Sequence, residues 1–359
     1  MPDLNCPMFF LGSTTPKGFS PFFDTVYGLE EGWRVYILKG GPGTGKSTLL
    51  NKAAAMAIAA GKEVQIIPCS GNPDSLDAVI LPQSKIFVLD GTAPHVMEPN
   101  YPGVCENIIN LGEFYDSDKL FKQRDKIIPL FKENAALNGR ARRYISAAGS
   151  LISDSYRIAM DYTDTEKAAR FAHAFAKREL PSKKGESHET FRLLSAITPY
   201  GSIFFEHTLH SLCDRVIAIE DEYGAASRII MSTLRSAFLK SGYSIITCPC
   251  PMSPDESIDH LIVPEASFAV CTSNRYHKVE KATRRIHSRR FTDMSALRSR
   301  KQRLSFNRRA VKELMISACE ILHDANNVHD KLEKYYIDAM DFKGVEKAQN
   351  KVVESIINL

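Results

Sequence analysis

The sequence predicts an α/β fold built twice along one chain, each copy carrying an appended helical region. Three observations predict it. The chain has 359 residues, more than one ordinary hydrophobic core accommodates. Apolar runs of strand length alternate with helical patterns early in each half. Short motifs of the first half recur in the same order in the second.

The recurrences anchor the rest. Thr15-Pro16-Lys17-Gly18 returns as Thr198-Pro199-Tyr200-Gly201. "VYILKGGPGTGKSTLL" at 35–50 aligns with "VIAIEDEYGAASRII" at 216–230. "PDSLDAVILPQSKIFVLDGTAPH" at 73–95 aligns with "PDESIDHLIVPEASFAVCTSNRYH" at 254–277, given one insertion. "AMDYTDTEKA" at 159–168 returns as "AMDFKGVEKA" at 339–348. Four anchors in one order read as an internal duplication.

Within the first copy, residues 34–38 are an apolar strand followed by a glycine-rich turn. "STLLNKAAAMAIAAG" is a helix rich in Ala and Leu, stopped by Gly61. "EVQIIPC" and "KIFVLD" are the next strands. Strands joined by crossover helices predict a parallel sheet flanked by helices. The later parts, 104–185 and 278–359, have few Gly or Pro and apolar positions at three- and four-residue spacing, so they read as helical. The breaker-rich "LPSKKGESHET" at 180–190 is the expected joint, giving domains 1–185 and 186–359.

The glycine-rich turn carries the chemistry. Gly40-x4-Gly45-Lys46-Ser47 is a complete G-x-x-x-x-G-K-[ST] between a strand and a helix, the context a phosphate loop requires. Glycines let backbone N–H groups close on phosphate oxygens, and the helix start adds its partial positive end. Gly40, Gly41, Pro42, Gly43, Thr44, Gly45, Lys46, Ser47 and Thr48 are therefore the expected nucleotide-binding residues. Lys46 reaches the β- and γ-phosphates. Ser47 ligates Mg2+, and Thr48 borders the α-phosphate. Asp90, at the end of "KIFVLD", is the expected acid of the metal's water shell. Lys46 and Asp90 are thus the catalytic candidates, Ser47 and Asp90 the metal candidates. Gly91 and Thr92 follow Asp90, so the water-activating Glu of the additional-strand ATPases is missing there; Glu98 or a residue of the helical part could serve, and nothing in the sequence selects one. No N-K-x-D element for guanine follows downstream, which favours ATP.

The second copy serves as a control. In the sequence alignment Lys46 faces Ser227, Ser47 faces Arg228, Gly40 faces Asp221, Gly45 faces Ala226 and Asp90 faces Thr272. Lysine, hydroxyl and acid change together, and Asp221 and Glu222 put negative charge where phosphates would sit. The second unit is therefore expected to be degenerate. Asp77, Pro82 and His95 recur as Asp259, Pro264 and His277, which favours structural roles over a catalytic His95.

Further features are weaker. His207 and His210 have no third metal ligand placed nearby. Eight cysteines lack metal or disulfide-framework spacing. Residues 275–312 hold fourteen Lys and Arg against Glu280 and Asp293, a basic face suited to its own chain, an acidic protein or nucleic acid. No apolar run reaches the ~20 residues that span a bilayer. "MPDLNCPMFFLGS" lacks the charged start and long apolar run of a leader, so a cytoplasmic location without membrane contact is expected.

The stretches "FFLGSTTPKGF", "ILKGGPGTGKSTLL", "NPDSLDAVILP", "VLDGTAPH" and "YPGVCENIINLGEFYD" together resemble an uncharacterised, Firmicutes-type bacterial family of tandemly duplicated P-loop ATPases. The resemblance covers nearly the whole chain. It implies a cytoplasmic ATP-binding protein with Lys46, Ser47 and Asp90 at matching site positions. In such proteins the second copy can also resemble a P-loop; residues 221–228 and Thr272 depart from that. The expected function is a Mg2+-dependent ATPase with one competent site. The alternatives are a small-molecule kinase or a non-hydrolysing nucleotide switch.

Overall fold

A computed structural model describes residues 6–28 and 31–357; the first five residues of the stretch read above for a leader lie outside them. In chain order the elements are β1 (Gly12–Thr15), β2 (Gly18–Pro21), β3 (Arg34–Lys39), α1 (Lys46–Ala59), β4 (Gln65–Pro68), β5 (Leu76–Leu81), β6 (Ile86–Asp90), β7 (Glu106–Asn110), α2 (Ser117–Lys122), α3 (Arg124–Met160) and α4 (Thr165–Glu179). There follow β8 (Glu189–Phe191), β9 (Ser195–Thr198), β10 (Gly201–Phe204), α5 (Glu206–Leu212), β11 (Arg215–Glu220), α6 (Ala225–Lys240), β12 (Ile245–Pro249), β13 (Ile258–Val263), β14 (Phe268–Ser273), β15 (Arg284–His287), α7 (Met294–Leu297), α8 (Lys301–Ile337) and α9 (Phe342–Ile357). The fold is mixed α/β. Among the described residues no helix is long and apolar enough to cross a membrane.

The chain forms two compact units. Unit 1 comprises Met1–Gly12, Pro21–Ala141 and Cys319–Leu359; unit 2 comprises Ser13–Ser20 and Arg142–Ala318. The divisions fall inside β1, β2, α3 and α8, whereas the joint expected at 180–190 lies wholly within unit 2. There the Tyr243 hydroxyl donates to Pro181 O and Lys183 N–H donates to Ser241 O. The compact units therefore draw on both sequence halves.

Unit 1 is built on a five-stranded sheet in the order β4-β5-β6-β3-β7. β3 runs parallel to β6 and β7, but β5 runs antiparallel to both β4 and β6. The sheet is mixed, which corrects the expectation of a parallel one. The reason is β5, missed between "EVQIIPC" and "KIFVLD". Its connections, through Ser75 and through Pro82–Lys85, are too short for a crossover and permit only antiparallel neighbours. On one face α1 packs through Leu49, Leu50, Ala53, Ala54 and Ala57, all fully buried. Small alanines bring the helix close to Val79, Leu81 and Val88. α9 adds Val353 and Ile356 to the same cluster, each contributing about 1.5–3 kcal/mol by burial. Gly61, at φ 71°, ends α1 as expected.

Unit 2 holds a six-stranded sheet, β15-β11-β14-β13-β12-β8. Without β8 its order repeats that of unit 1, and β13 is again the antiparallel strand between β12 and β14. Here α6 takes the place of α1, and α4 takes that of α9. Phe175, Ala172 and Ala168 of α4 join Ile230, Leu234 and Phe238 of α6 in one buried cluster with Phe268 and Val270.

Candidate functional site

The junction of β3 and α1 is a six-residue loop, Gly40–Gly45. Gly40, Gly43 and Gly45 adopt φ of 151°, 67° and 86°, values that require glycine. At Gly40 space forbids a side chain as well, since a Cβ would lie 2.7 Å from Thr44 Oγ1. The Thr44 hydroxyl donates to Gly41 O at 2.9 Å and closes the turn. Pro42 sits at its apex. α1 begins at Lys46 with Gly45 as its N-cap. No side chain caps those first amides, so the helix presents its partial positive end to the loop.

Lys46 folds back over the loop. Its ammonium donates to Gly40 O at 2.8 Å and Gly41 O at 2.7 Å, and lies 3.6 Å from Asp90 Oδ2. Asp90 reaches this place because β6 pairs directly with β3, Leu38 opposite Asp90. Its Oδ1 accepts from Thr92 N–H at 2.9 Å and Thr92 Oγ1 at 2.6 Å, which fixes the rotamer. The structure thus brings Lys46 and Asp90 together. Ser47 Oγ accepts from Leu76 N–H at 3.1 Å and from Asn51 Nδ2 at 3.4 Å. Thr48 is exposed.

Residues remote in sequence cover the loop. Gly41 N–H donates to the Tyr115 hydroxyl. A Cβ at Gly41 would lie 2.9 Å from the Tyr336 ring, and one at Gly43 would lie 2.9 Å from Ile337. Gln349 Nε2 donates to Gly45 O at 3.0 Å. Sequence spacing gave no sign of this cover, because α8 and α9 lie some three hundred residues downstream of the loop.

Neighbouring candidates have structural partners. Glu98 is exposed and paired with Lys39 at 2.5 Å, which takes it out of position as a base. His95 is buried, 3.3 Å from Asp77 Oδ1, with its ring 4.6 Å from that of Phe23. Burial opposes its protonation, yet the hydrogen bond and charge of Asp77 and the charge of Asp90 outweigh that and raise its pKa. Glu106, fully buried, accepts from Asn100 N–H, Tyr101 N–H and the Tyr27 hydroxyl, and so shapes the 100–106 turn. His210 lies 3.6 Å from Glu206, and the His207 ring meets that of Phe205.

The junction of β11 and α6 in unit 2 differs. It is four residues long, Asp221–Gly224, and Gly224 is the left-handed N-cap. Measured from the strand end and the helix start, Lys46 stands opposite Ala225 and Ser47 opposite Ala226. This corrects the sequence alignment, which set them against Ser227 and Arg228; the missing two residues fall in the loop itself. Asp221, 4% exposed, turns its carboxylate onto the helix. Its Oδ2 accepts from Ala226 N–H at 2.9 Å and Ser227 N–H at 2.8 Å. A side-chain carboxylate thus satisfies two of the amides at the start of this helix. Arg228 stacks over Tyr156 at 4.0 Å and pairs with Glu256.

Opposite Asp90 stands Thr272, as the alignment expects. Its hydroxyl lies 2.7 Å from His277 Nε2 and 3.4 Å from Asp259 Oδ1. Asp259, His260 and His277 are buried and bring one potential ligand atom each within 4.8 Å of one another. Burial and the neighbouring His277 push the pKa of His260 well down, and its ring stacks on Phe204.

Part of the basic stretch is paired within unit 2. Arg285 and His287 pair with Glu220, Arg275 with Glu222, Arg284 with Glu179 and Arg303 with Asp154. No disulfide joins the cysteines among the described residues. No protein family, no curated protein and no solved structure matches the chain.

Proposed function

We propose that the chain is an ATP-binding P-loop protein, a slow Mg2+-dependent ATPase with one competent site, in unit 1. The observation that carries this reading is the β3–α1 junction. A complete motif lies on a loop with three glycines at positive φ. Its lysine folds over it, and an acid ends the adjoining parallel strand 3.6 Å away. The donor set fits the expected ligands. The glycine amides and the uncapped start of α1 suit phosphate oxygens. The Ser47 hydroxyl and Asp90 carboxylate are the hard oxygen donors Mg2+ prefers. When bound, the metal supplies neutralisation of charge between the terminal phosphates.

The chain's own residues do the rest. Loop amides orient the phosphates, and Lys46 exchanges Gly40 O and Gly41 O for phosphate oxygens. Positioning and electrostatic stabilisation are the catalytic contribution. Slow turnover is supported by three details. Thr92 holds Asp90, Glu98 is tied to Lys39, and no strand separates β6 from β3 to present another acid.

The repeated strand order and the two left-handed glycine caps support reading the chain as internally duplicated, with unit 2 a degenerate P-loop copy. That is the organisation of the tandem family the sequence resembles. A second reading, a nucleotide-dependent switch, is favoured by Tyr115, Tyr336 and Ile337, which must leave the loop for phosphates to enter.

Titration of labelled ATP with Mg2+ tests the proposal. Lys46→Ala weakens binding about a hundredfold, and Ser227→Ala leaves it intact. Equal binding by the parent and Lys46→Ala overturns it. Single-turnover phosphate release then separates slow hydrolysis from switching.

A further inference from the structure

We propose that unit 2 holds a second, independent site, for a small phosphate monoester bearing hydroxyl or amino donors. A cavity of about 280 Å³ opens beyond the carboxyl ends of β11 and β14, beside the shortened 221–224 loop. Open α/β sheets place their ligands at this edge. The volume is just below the roughly 300–1,000 Å³ of small-molecule pockets, which suits a sugar phosphate or a mononucleotide.

Three sets of groups fix the chemistry. At the rim stand Arg298, Lys301 and Arg308, all exposed. Unlike Arg275, which pairs with Glu222 on the same wall, these three have no carboxylate partner among the described residues. They are the anion-binding end. The floor carries Asp259, 5% exposed. Its Oδ1 accepts from Thr272, but its buried Oδ2 accepts no hydrogen bond. That oxygen lies 3.9 Å from His277 Nδ1, too far for a hydrogen bond, and a ligand hydroxyl or amine would supply one. Between the two ends, Met294, Leu297 and Leu304 form an apolar wall.

The shortened loop decides how the anion is held. Asp221 already saturates the first amides of α6, so the helix end is closed to phosphate. The charge must be met by side chains, which the rim supplies. A ligand anionic throughout is disfavoured, because Asp259 at the floor repels it, whereas Glu222 on the wall is paired with Arg275. The occupant is anionic at one end and donates hydrogen bonds at the other.

Calorimetric titration of ribose 5-phosphate and of AMP into the full chain tests this. At least one binds, and unphosphorylated ribose does not. The exposed double variant Arg298→Gln/Arg308→Gln weakens binding about tenfold or more. Asp259→Asn weakens it as well; should that variant misfold, the rim variant alone decides. Lys46→Ala leaves ribose 5-phosphate binding unchanged, which separates this site from unit 1. The proposal is overturned if neither probe binds at millimolar concentration. It is equally overturned if binding follows Lys46 rather than the rim, or if the rim binds a single-stranded oligonucleotide that ribose 5-phosphate fails to displace.

Discussion

The β3–α1 and β11–α6 junctions meet one physical demand in two ways. Each is a strand, a turn, a glycine in the left-handed region and a helix whose first N–H groups need an acceptor. In unit 1 six residues leave those amides without a side-chain cap, and Lys46 adds a cation. In unit 2 the loop is two residues shorter, and the Asp221 carboxylate accepts from amides at the helix start. The first arrangement fits an external phosphate; the second turns the same electrostatic preference into a cap. An acid in the loop therefore opposes an incoming anion more than loss of the lysine alone would, because it also occupies two of the amides at the helix start.

Experiments can break or sharpen this contrast. The largest expected effect is that of Lys46→Ala, the hundredfold loss of ATP affinity described above; retained affinity would place the phosphates elsewhere. Next is Asp221→Ala. It strips a buried cap from α6 and costs about 1–2 kcal/mol in urea unfolding, while ATP binding stays unchanged. A loss of ATP binding in that variant would refute the division of labour between the two loops.

The two units also differ in their response to acid. His260 has a folded pKa well below its ordinary 6.5, so the unfolded chain takes up a proton that the folded chain refuses. Stability falls as pH drops below about 6.5, by up to about 1.4 kcal/mol per pH unit. His95 has a raised pKa, so its contribution is complete below 6.5 and is lost as pH rises through the raised value. Urea unfolding across a pH series shows both signs. Trp33, the one tryptophan, reports on unit 1 by fluorescence, and circular dichroism follows the whole chain. His260→Phe removes the acid-side slope; an unchanged slope would place the responsible group elsewhere. Smallest is Tyr115→Phe. It frees the Gly41 amide and tightens ATP binding about threefold in the same titration. Weaker binding would instead make the hydroxyl a nucleotide contact.

Much of this was legible in residue order. The strand, glycine turn and helix at 34–61 are local, and each residue's preference agrees with its neighbours'. Asp90 was readable because an apolar run ending in one acid marks a strand end. β5 was not, since "LDAVIL" lies between two runs of similar character and nothing in it states its direction. The alignment of 221–228 slipped by two residues because similar apolar flanks tolerate a gap anywhere between them; only the position of Gly224 fixed it. The acids that pair with part of the basic stretch, Glu179, Glu220, Glu222 and Asp154, were not legible, because they are scattered along the chain.

By itself the sequence determined the strand, glycine turn and helix at 34–61 and the G-x-x-x-x-G-K-[ST] motif they carry, because helix starts, glycine turns and apolar periodicity are set by interactions between near neighbours. Only the tertiary structure decided that α9 of the second half packs on α1 and α4 of the first half on α6, that Tyr115 and Tyr336 lie over the loop, and that Asp221 caps α6. Those depend on contacts between residues far apart in the chain, whose partners are chosen by burial and shape rather than by spacing.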